Sequence, residues 1–232
     1  MKAYPKTSGQ RCKALLLGMA LSTLAWADGP QVKAYGKTYG EWSARWWQWV
    51  RSIPAGTNPL LDTTGAYCDE GQLAFGNGNV WFLAGTIGGE AERNCTVPSG
   101  KALLYPLVNA VFPNGPGENF TVEEKQTMLA SVLDLACGLQ STLDGVATVI
   151  DQPTVRTQSP TFPLTFGPDD VYGYPSGLVD NQVVADGYWV ILPPLSVGTH
   201  ELELRGALCA PDTHLPFYEV KVTYHLTIVN AE

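Results

Sequence analysis

The chain has 232 residues and carries 22 acidic against 14 basic side chains, for a formal net charge of −8 at pH 7. A surface this acidic repels phosphate backbones and anionic lipid headgroups, so the composition argues against a nucleic-acid-binding or membrane-surface protein. The length suits one domain with a substantial core.

Residues 1–27 predict a secretory signal peptide. Four basic residues and no acid flank the start of an apolar run over residues 14–24, and Ala25-Trp26-Ala27 is a small-x-small cleavage site. The run is too short to span a bilayer, and no later apolar run is longer. Cleavage would remove four of the 14 bases and no acid, leaving residues 28–232 with a net charge of −12. We expect an exported protein, periplasmic or extracellular, whose mature part is a single disulfide-stapled domain without a transmembrane segment.

A tryptophan-rich helix is predicted to begin at Thr38. Thr38 and Glu41 form a T-x-x-E capping box. Four residues at helical spacing then share one face: Trp42, Trp46, Trp49 and Ile53. Such an apolar stripe has to lie against something. Either the helix covers a face or an open end of a β-sandwich, or its rings form a platform for a sugar or an apolar ligand.

Trp47 lies at the margin of this stripe. It precedes Arg51 by one helical turn, a spacing that allows a cation–π contact between the two side chains. If the helix contributes to a ligand-binding site, Trp47 and Arg51 are therefore our candidates.

Four cysteines follow the predicted leader: Cys68, Cys95, Cys137 and Cys209. An even number in an exported chain predicts two disulfides, for which three connectivities exist. We favour Cys68–Cys95 and Cys137–Cys209, because the nearer pair closes a loop of modest length. The second bond would then join a helix to the C-terminal sheet. No C-x-x-C spacing is present, so a zinc or thioredoxin-type site is not indicated.

The middle of the chain predicts three strands and a second helix. Residues 80–84 form an apolar run bounded by turns, residues 94–97 form a short strand, and residues 101–109 form a strand whose Pro106 indicates an edge or a bulge. A second capping box, Thr121 to Glu124, begins an amphipathic helix. Its inward residues by spacing are Met128, Val132, Leu135 and Leu139, flanked by Leu129, Ala136 and Leu143.

After Gly145 the pattern is that of β-structure. Candidate strands are residues 146–151, 155–166, 188–192, 199–205 and 217–229. The last of these alternates strictly between apolar and polar side chains, and Asp186-Gly187 is a hairpin-type turn. Short strands between turn signals predict an antiparallel β-sandwich, immunoglobulin-like or jelly-roll-like, covered by the two helices.

Several motifs of the chain resemble a family of exported bacterial proteins of unassigned function. They are YGEWSARWWQW at 39–49, NPLLD at 58–62, VWFLAGT at 80–86, CTVPSGK at 95–101 and DGYW at 186–189. The resemblance covers nearly the whole mature chain. It implies export from a Gram-negative cell, and it supplies no catalytic residues.

Motifs for catalysis and metal binding are few. The chain has no G-x-S-x-G elbow and no H-E-x-x-H, and its three histidines stand on different elements, so we expect neither a metal nor a cofactor. Glu201 and Glu203 point to one side of a strand, as the acid and the nucleophile of a sandwich glycosidase do. The same E-x-E-x-R pattern is equally that of a solvated strand face.

These observations favour a non-catalytic exported module that binds a small ligand, a glycan or an envelope protein. Two alternatives remain open. One is a carbohydrate-active hydrolase using Glu201 and Glu203, and the other is a structural surface or matrix protein.

Overall fold

The structure is a computed structural model that describes residues 33–76, 78–148 and 156–231. The predicted signal peptide lies outside these residues. The helices are α1 Tyr39–Ser52, α2 Gln72–Phe75 and α3 Val122–Leu133, with a 3-10 turn at Ala55–Thr57. The strands are β1 Lys33–Ala34, β2 Lys37–Thr38, β3 Val80–Phe82, β4 Gly89–Pro98, β5 Ala102–Phe112, β6 Ala136–Leu143, β7 Val146–Ala147, β8 Arg156–Gln158, β9 Phe162–Thr165, β10 Val179–Leu192, β11 Gly198–Cys209 and β12 Pro216–Val229.

Two five-stranded sheets form a sandwich-like, mainly β body. The first sheet has the order β3-β5-β10-β8, with β9 also paired to β10, and the second has the order β4-β12-β11-β6-β7. The expectation of a purely antiparallel sandwich is wrong, because β3–β5 and β4–β12 are parallel pairs. The chain leaves β3 for the other sheet as β4 and then returns beside β3, and this detour lets β5 run in the same direction as β3.

Apolar side chains fill two layers, one on each face of the first sheet. One core lies between the sheets and includes Leu103 and Tyr105, and the other lies under α1 and includes Leu104 and Trp189. Because β5 and β10 are buried on both faces, their sequences are nearly continuous apolar runs rather than alternating ones.

The turn predicted at Asp186-Gly187 is wrong, because both residues lie inside β10. Gly187 is opposite Asn109, and a Cβ on Gly187 would lie 2.6 Å from the Cβ of Asn109. Glycine is needed here for close packing between strands and not for a turn. Pro106 does coincide with a bulge, as predicted, although β5 is a central strand over its first residues and not an edge.

Helix α3 differs from its prediction in length and in facing. It ends at Leu133, and residues 136–143 form strand β6, which pairs with β11. Its buried side chains are Lys125, Leu129 and Leu133, whereas Met128 and Val132 are exposed. The Lys125 ammonium is buried against the Asp180 carboxylate at 2.7 Å, and this ion pair sets which side of the helix faces inward.

Both favoured disulfides, Cys68–Cys95 and Cys137–Cys209, are present. Cys137 lies in strand β6, so the second bond joins two neighbouring strands and not a helix to the sheet. Among the described residues, no helix has the length and apolar character needed to cross a membrane.

Candidate functional site

Three of the four tryptophans of α1 belong to the core. The capping box between Thr38 and Glu41 is present, and Trp42, Trp46 and Trp49 are almost fully buried. Each ring N–H donates to a main-chain carbonyl, of Ala34 at 2.7 Å, of Leu83 at 3.0 Å and of Glu70 at 2.8 Å, respectively. These three rings have neither a free face nor a free donor for a ligand, so they anchor the helix.

Trp47 differs from its neighbours. Its residue is 3% exposed, yet its ring N–H is buried without a hydrogen-bond partner in the described chain. It lines a cavity of about 240 Å³, here called the Trp47 cavity, between the C-terminal half of α1, the end of β5 and the loop before β10. The lining residues are Trp47, Arg51, Asn109, Ala110, Val111, Pro113, Tyr172 and Tyr174.

Arg51 forms one wall of the cavity. Its Nε and Nη2 each donate to the Asp170 carboxylate at 2.8 Å. The guanidinium lies over the rings of Phe166, Tyr172 and Tyr174, 4.7 to 5.0 Å from their centroids. These three rings, and not Trp47, are its cation–π partners. The structure thus places Trp47 and Arg51 at one cavity. The Arg51 side chain, however, is already bound to Asp170 and packed against the three aromatic rings.

Asn109 carries a second such donor, which no pattern in the sequence predicts. Its side-chain NH₂ is buried without a partner among the described residues, next to Gly187. Two residues that line the Trp47 cavity, one on helix α1 and one on strand β5, therefore each carry a buried N–H group without a partner among the described residues. Nothing local marks Asn109 or the two tyrosines, because only the folded sheet and loop bring them to the helix.

The two tyrosines of the cavity stay neutral near physiological pH. Desolvation of its hydroxyl raises the pKa of Tyr172 to about 12, although 46% of the residue is exposed at the surface. Desolvation also raises the pKa of Tyr174. The hydrogen-bonding character of this wall therefore does not change across the neutral range.

Glu201 and Glu203 lie on the exposed outer face of β11, side by side as predicted. Glu201 lies 3.5 Å from His225, which also contacts Glu92 at 2.8 Å. Glu203 accepts a hydrogen bond from the Thr142 hydroxyl at 2.8 Å. Both carboxylates thus belong to a ladder of cross-strand polar contacts. Within the described residues, no group of His, Cys, Asp and Glu is arranged to hold a metal ion.

His200 joins a loop and a hairpin. Its Nδ1 lies 2.8 Å from the Asp144 carboxylate, and its Nε2 lies 3.2 Å from the Ser196 hydroxyl and 3.0 Å from the Ser196 carbonyl. The chain Ser–His–Asp resembles a hydrolase triad, but Nε2 also lies 3.0 Å from the Ser196 carbonyl, which can only accept a hydrogen bond. When the ring carries both protons, it donates to Asp144 and to this carbonyl and cannot accept the serine proton. We assign this cluster a structural role: it fixes the turn between β6 and β7 to the loop before β11 and the start of β11.

The same cluster predicts a pH-dependent stability. The Asp144 hydrogen bond raises the pKa of His200, so the stabilisation is complete below the unfolded value of about 6.5 and is lost as pH rises through the folded value. The His200 hydrogen bond lowers the pKa of Asp144, so its stabilisation is present above about pH 4 and is lost on acidification. The pair should therefore stabilise most between about pH 4 and 6.5. Urea unfolding of wild type and His200→Gln should show a stability difference that shrinks above pH 7. Asp144→Asn should show the same trend, and a difference that is constant from pH 5 to 9 would contradict the assignment.

Comparison of the chain with protein-family models, with curated proteins and with solved structures yields no match.

Proposed function

We propose that this chain is an exported, non-catalytic binding module whose ligand occupies the Trp47 cavity. The observation that supports the proposal is a pair of buried donors without partners, Trp47 Nε1 and Asn109 Nδ2, carried by two residues that line one cavity. An unsatisfied buried donor costs about 1–3 kcal/mol, and a ligand that brings acceptors offsets that cost.

The size of the cavity limits the ligand. Its volume of about 240 Å³ lies just under the 300–1,000 Å³ of sites for drug-sized molecules. One sugar ring or one amino-acid side chain with its backbone fits, and a long chain does not enter. The apolar lining by Val111 and Pro113 with a few polar groups is typical of a binding site.

The geometry favours binding over hydrolysis. Glu201 and Glu203 are exposed and contact His225 and Thr142, respectively. A carboxylic acid that stays protonated for catalysis needs an enclosed, apolar environment instead. Export, the likeness to exported bacterial proteins and an immunoglobulin-like or jelly-roll-like topology belong to this proposal as well. The two disulfides support export, since such bonds persist in oxidising compartments.

Asn109→Leu tests the binding site. Replacing an unpaired buried amide by an apolar group of similar shape should leave the free energy of unfolding unchanged or raise it, because the orphaned donor disappears. The same change should weaken binding about tenfold, the loss expected for one hydrogen bond. Binding is followed by NMR with a panel of monosaccharides and short peptides, and stability by urea unfolding.

The matched control is Asn58→Leu. The Asn58 amide is buried and fully used, with bonds to the carbonyls of Val50 and Ile53 and from the N–H of Leu60 at 2.7–3.0 Å. Its loss should lower the free energy of unfolding by about 3 kcal/mol. A similar loss of stability in both variants would show that Asn109 is a structural residue. Export is checked separately by fractionation and intact mass, and a mature chain that keeps residues 1–27 would refute it.

A further inference from the structure

Strand β5 has an open edge beside the Trp47 cavity. On the side away from β10, β5 pairs with β3 only over Ala102–Leu104. No described strand continues this pairing toward Phe112. An unpaired strand edge presents main-chain donors and acceptors that another chain can pair with.

The register shows which main-chain groups face that edge. Ala185 of β10 turns its own N–H and C=O toward Ser159, on the β8 side, with distances of 2.9 and 2.8 Å. Ala185 is opposite Val111, and in an antiparallel pair such a residue faces a non-hydrogen-bonded partner. The N–H and C=O of Val111 therefore point away from β10. Asn109, two residues earlier and opposite Gly187, points the same way.

The cavity coincides with this edge. Asn109, Ala110, Val111 and Pro113 all line it, and no described residue forms a hydrogen bond with the edge-facing main-chain groups of Asn109 and Val111. Two residues of a strand are about 6.7 Å apart and each offers one donor and one acceptor. The side chains of Trp47 and Asn109 add two buried donors near these main-chain groups.

We infer that the ligand of the Trp47 cavity is a short extended peptide that adds to β5 as a further strand. Its backbone pairs with Asn109 and Val111, which supply alternating donors and acceptors at the spacing of a polypeptide. One of its side chains enters the cavity, and a polar group on it accepts from Trp47 Nε1 or Asn109 Nδ2. Strand addition of this kind takes affinity from main-chain bonds and specificity from a side-chain pocket. The inference rests on the proposed function and narrows its ligand to a peptide.

Val111→Pro tests the pairing. The N–H of Val111 faces the edge, so proline removes a donor for the peptide and leaves the bonds between β5 and β10 in place. The matched control is Ala110→Pro, which removes a bond to β10 and should lower the melting temperature strongly. Peptides are selected from a phage-displayed random heptapeptide library on the full mature protein. Selected synthetic peptides should bind Val111→Pro at least tenfold more weakly than wild type. A copy of each peptide N-methylated at alternate residues should show the same loss on wild type, a test that stands even if Val111→Pro does not fold.

Hydrogen exchange gives an independent readout. The amides of Asn109 and Val111 should exchange faster than that of Ala110 in the free protein, and slow down in the complex. Protected Asn109 and Val111 amides in the free monomer would overturn the inference, as would peptides indifferent to Val111→Pro and to N-methylation. If no peptide is selected while monosaccharides bind and Asn109→Leu weakens them, the inference fails and the proposed function stands. If no probe binds, both fail. A dimer in sedimentation that Val111→Pro disperses would make the occupant a second copy and would also overturn the inference.

Discussion

Arg93→Ala should lower the free energy of unfolding by about 3–5 kcal/mol, among the largest effects of a single substitution. Arg93 is 1% exposed and occupies an inward position of β4. Its guanidinium donates to three main-chain carbonyls, those of Asp62, Ala84 and Gly85, at 2.6–2.9 Å, and to the Tyr224 hydroxyl at 2.6 Å. Alanine would leave these buried acceptors unsatisfied. It would also open a cavity between strand β4 and the segments that contain Asp62, Ala84 and Gly85.

Urea unfolding monitored by tryptophan fluorescence measures this effect. The matched control is Arg205→Ala, because Arg205 pairs with Glu219 on the exposed face of the same sheet. An exposed ion pair contributes about 0–1 kcal/mol, so the control should unfold almost as wild type does. If the two substitutions lowered the free energy of unfolding equally, the buried hydrogen bonds of Arg93 would not be a determinant of stability.

Asp170→Asn should cost a similar amount, about 3–5 kcal/mol, because it leaves the buried Arg51 cation without its counter-charge. Asp170 accepts two bonds from Arg51 and one each from the main-chain N–H of Tyr172 and Tyr174, at 3.0 and 3.2 Å. One carboxylate thus holds the tyrosine loop onto helix α1. The substitution should therefore also abolish binding in the Trp47 cavity, since the wall formed by the two tyrosines depends on this contact.

Asp169→Asn provides the control for this second substitution. Its side chain is exposed and only its main-chain carbonyl is used, by the N–H of Ala55 at 2.8 Å. Its free energy of unfolding and its ligand affinity should stay close to those of wild type, within about 0.5 kcal/mol. Circular dichroism melting and the NMR probe panel read both properties. Equal stability of the Asp169 and Asp170 variants would contradict the role of the buried pair.

Features that depend on neighbours in the chain were predictable from the sequence alone. The capping boxes at Thr38 and Thr121 begin helices as expected, because the side chain that caps and the N–H it accepts from lie three residues apart. The alternation of residues 217–229 predicts the C-terminal strand for the same reason, since side chains in a strand point to opposite faces in turn. The cysteine spacing favoured the observed disulfides through loop length.

Only the tertiary structure decided the features that depend on partners distant in the chain. Residues 136–143 carry a helical apolar period, yet they complete the second sheet as β6, because pairing with β11 outweighs a local preference. Asp186-Gly187 has the composition of a turn but packs inside β10 against Asn109. An inward arginine at 93 has no local explanation, because its acceptors come from a loop and from β12.

The Trp47 cavity shows the same division. The margin position of Trp47 on the helix wheel and its spacing from Arg51 are local properties, and they single out two of the lining residues. Asn109, Tyr172 and Tyr174 reach the cavity from elements 58 or more residues further along the chain. Periodicity records which face of an element is apolar, whereas a cavity forms where faces of several elements meet imperfectly. That meeting depends on sheet order and loop path, and these are set by the packing of the whole domain.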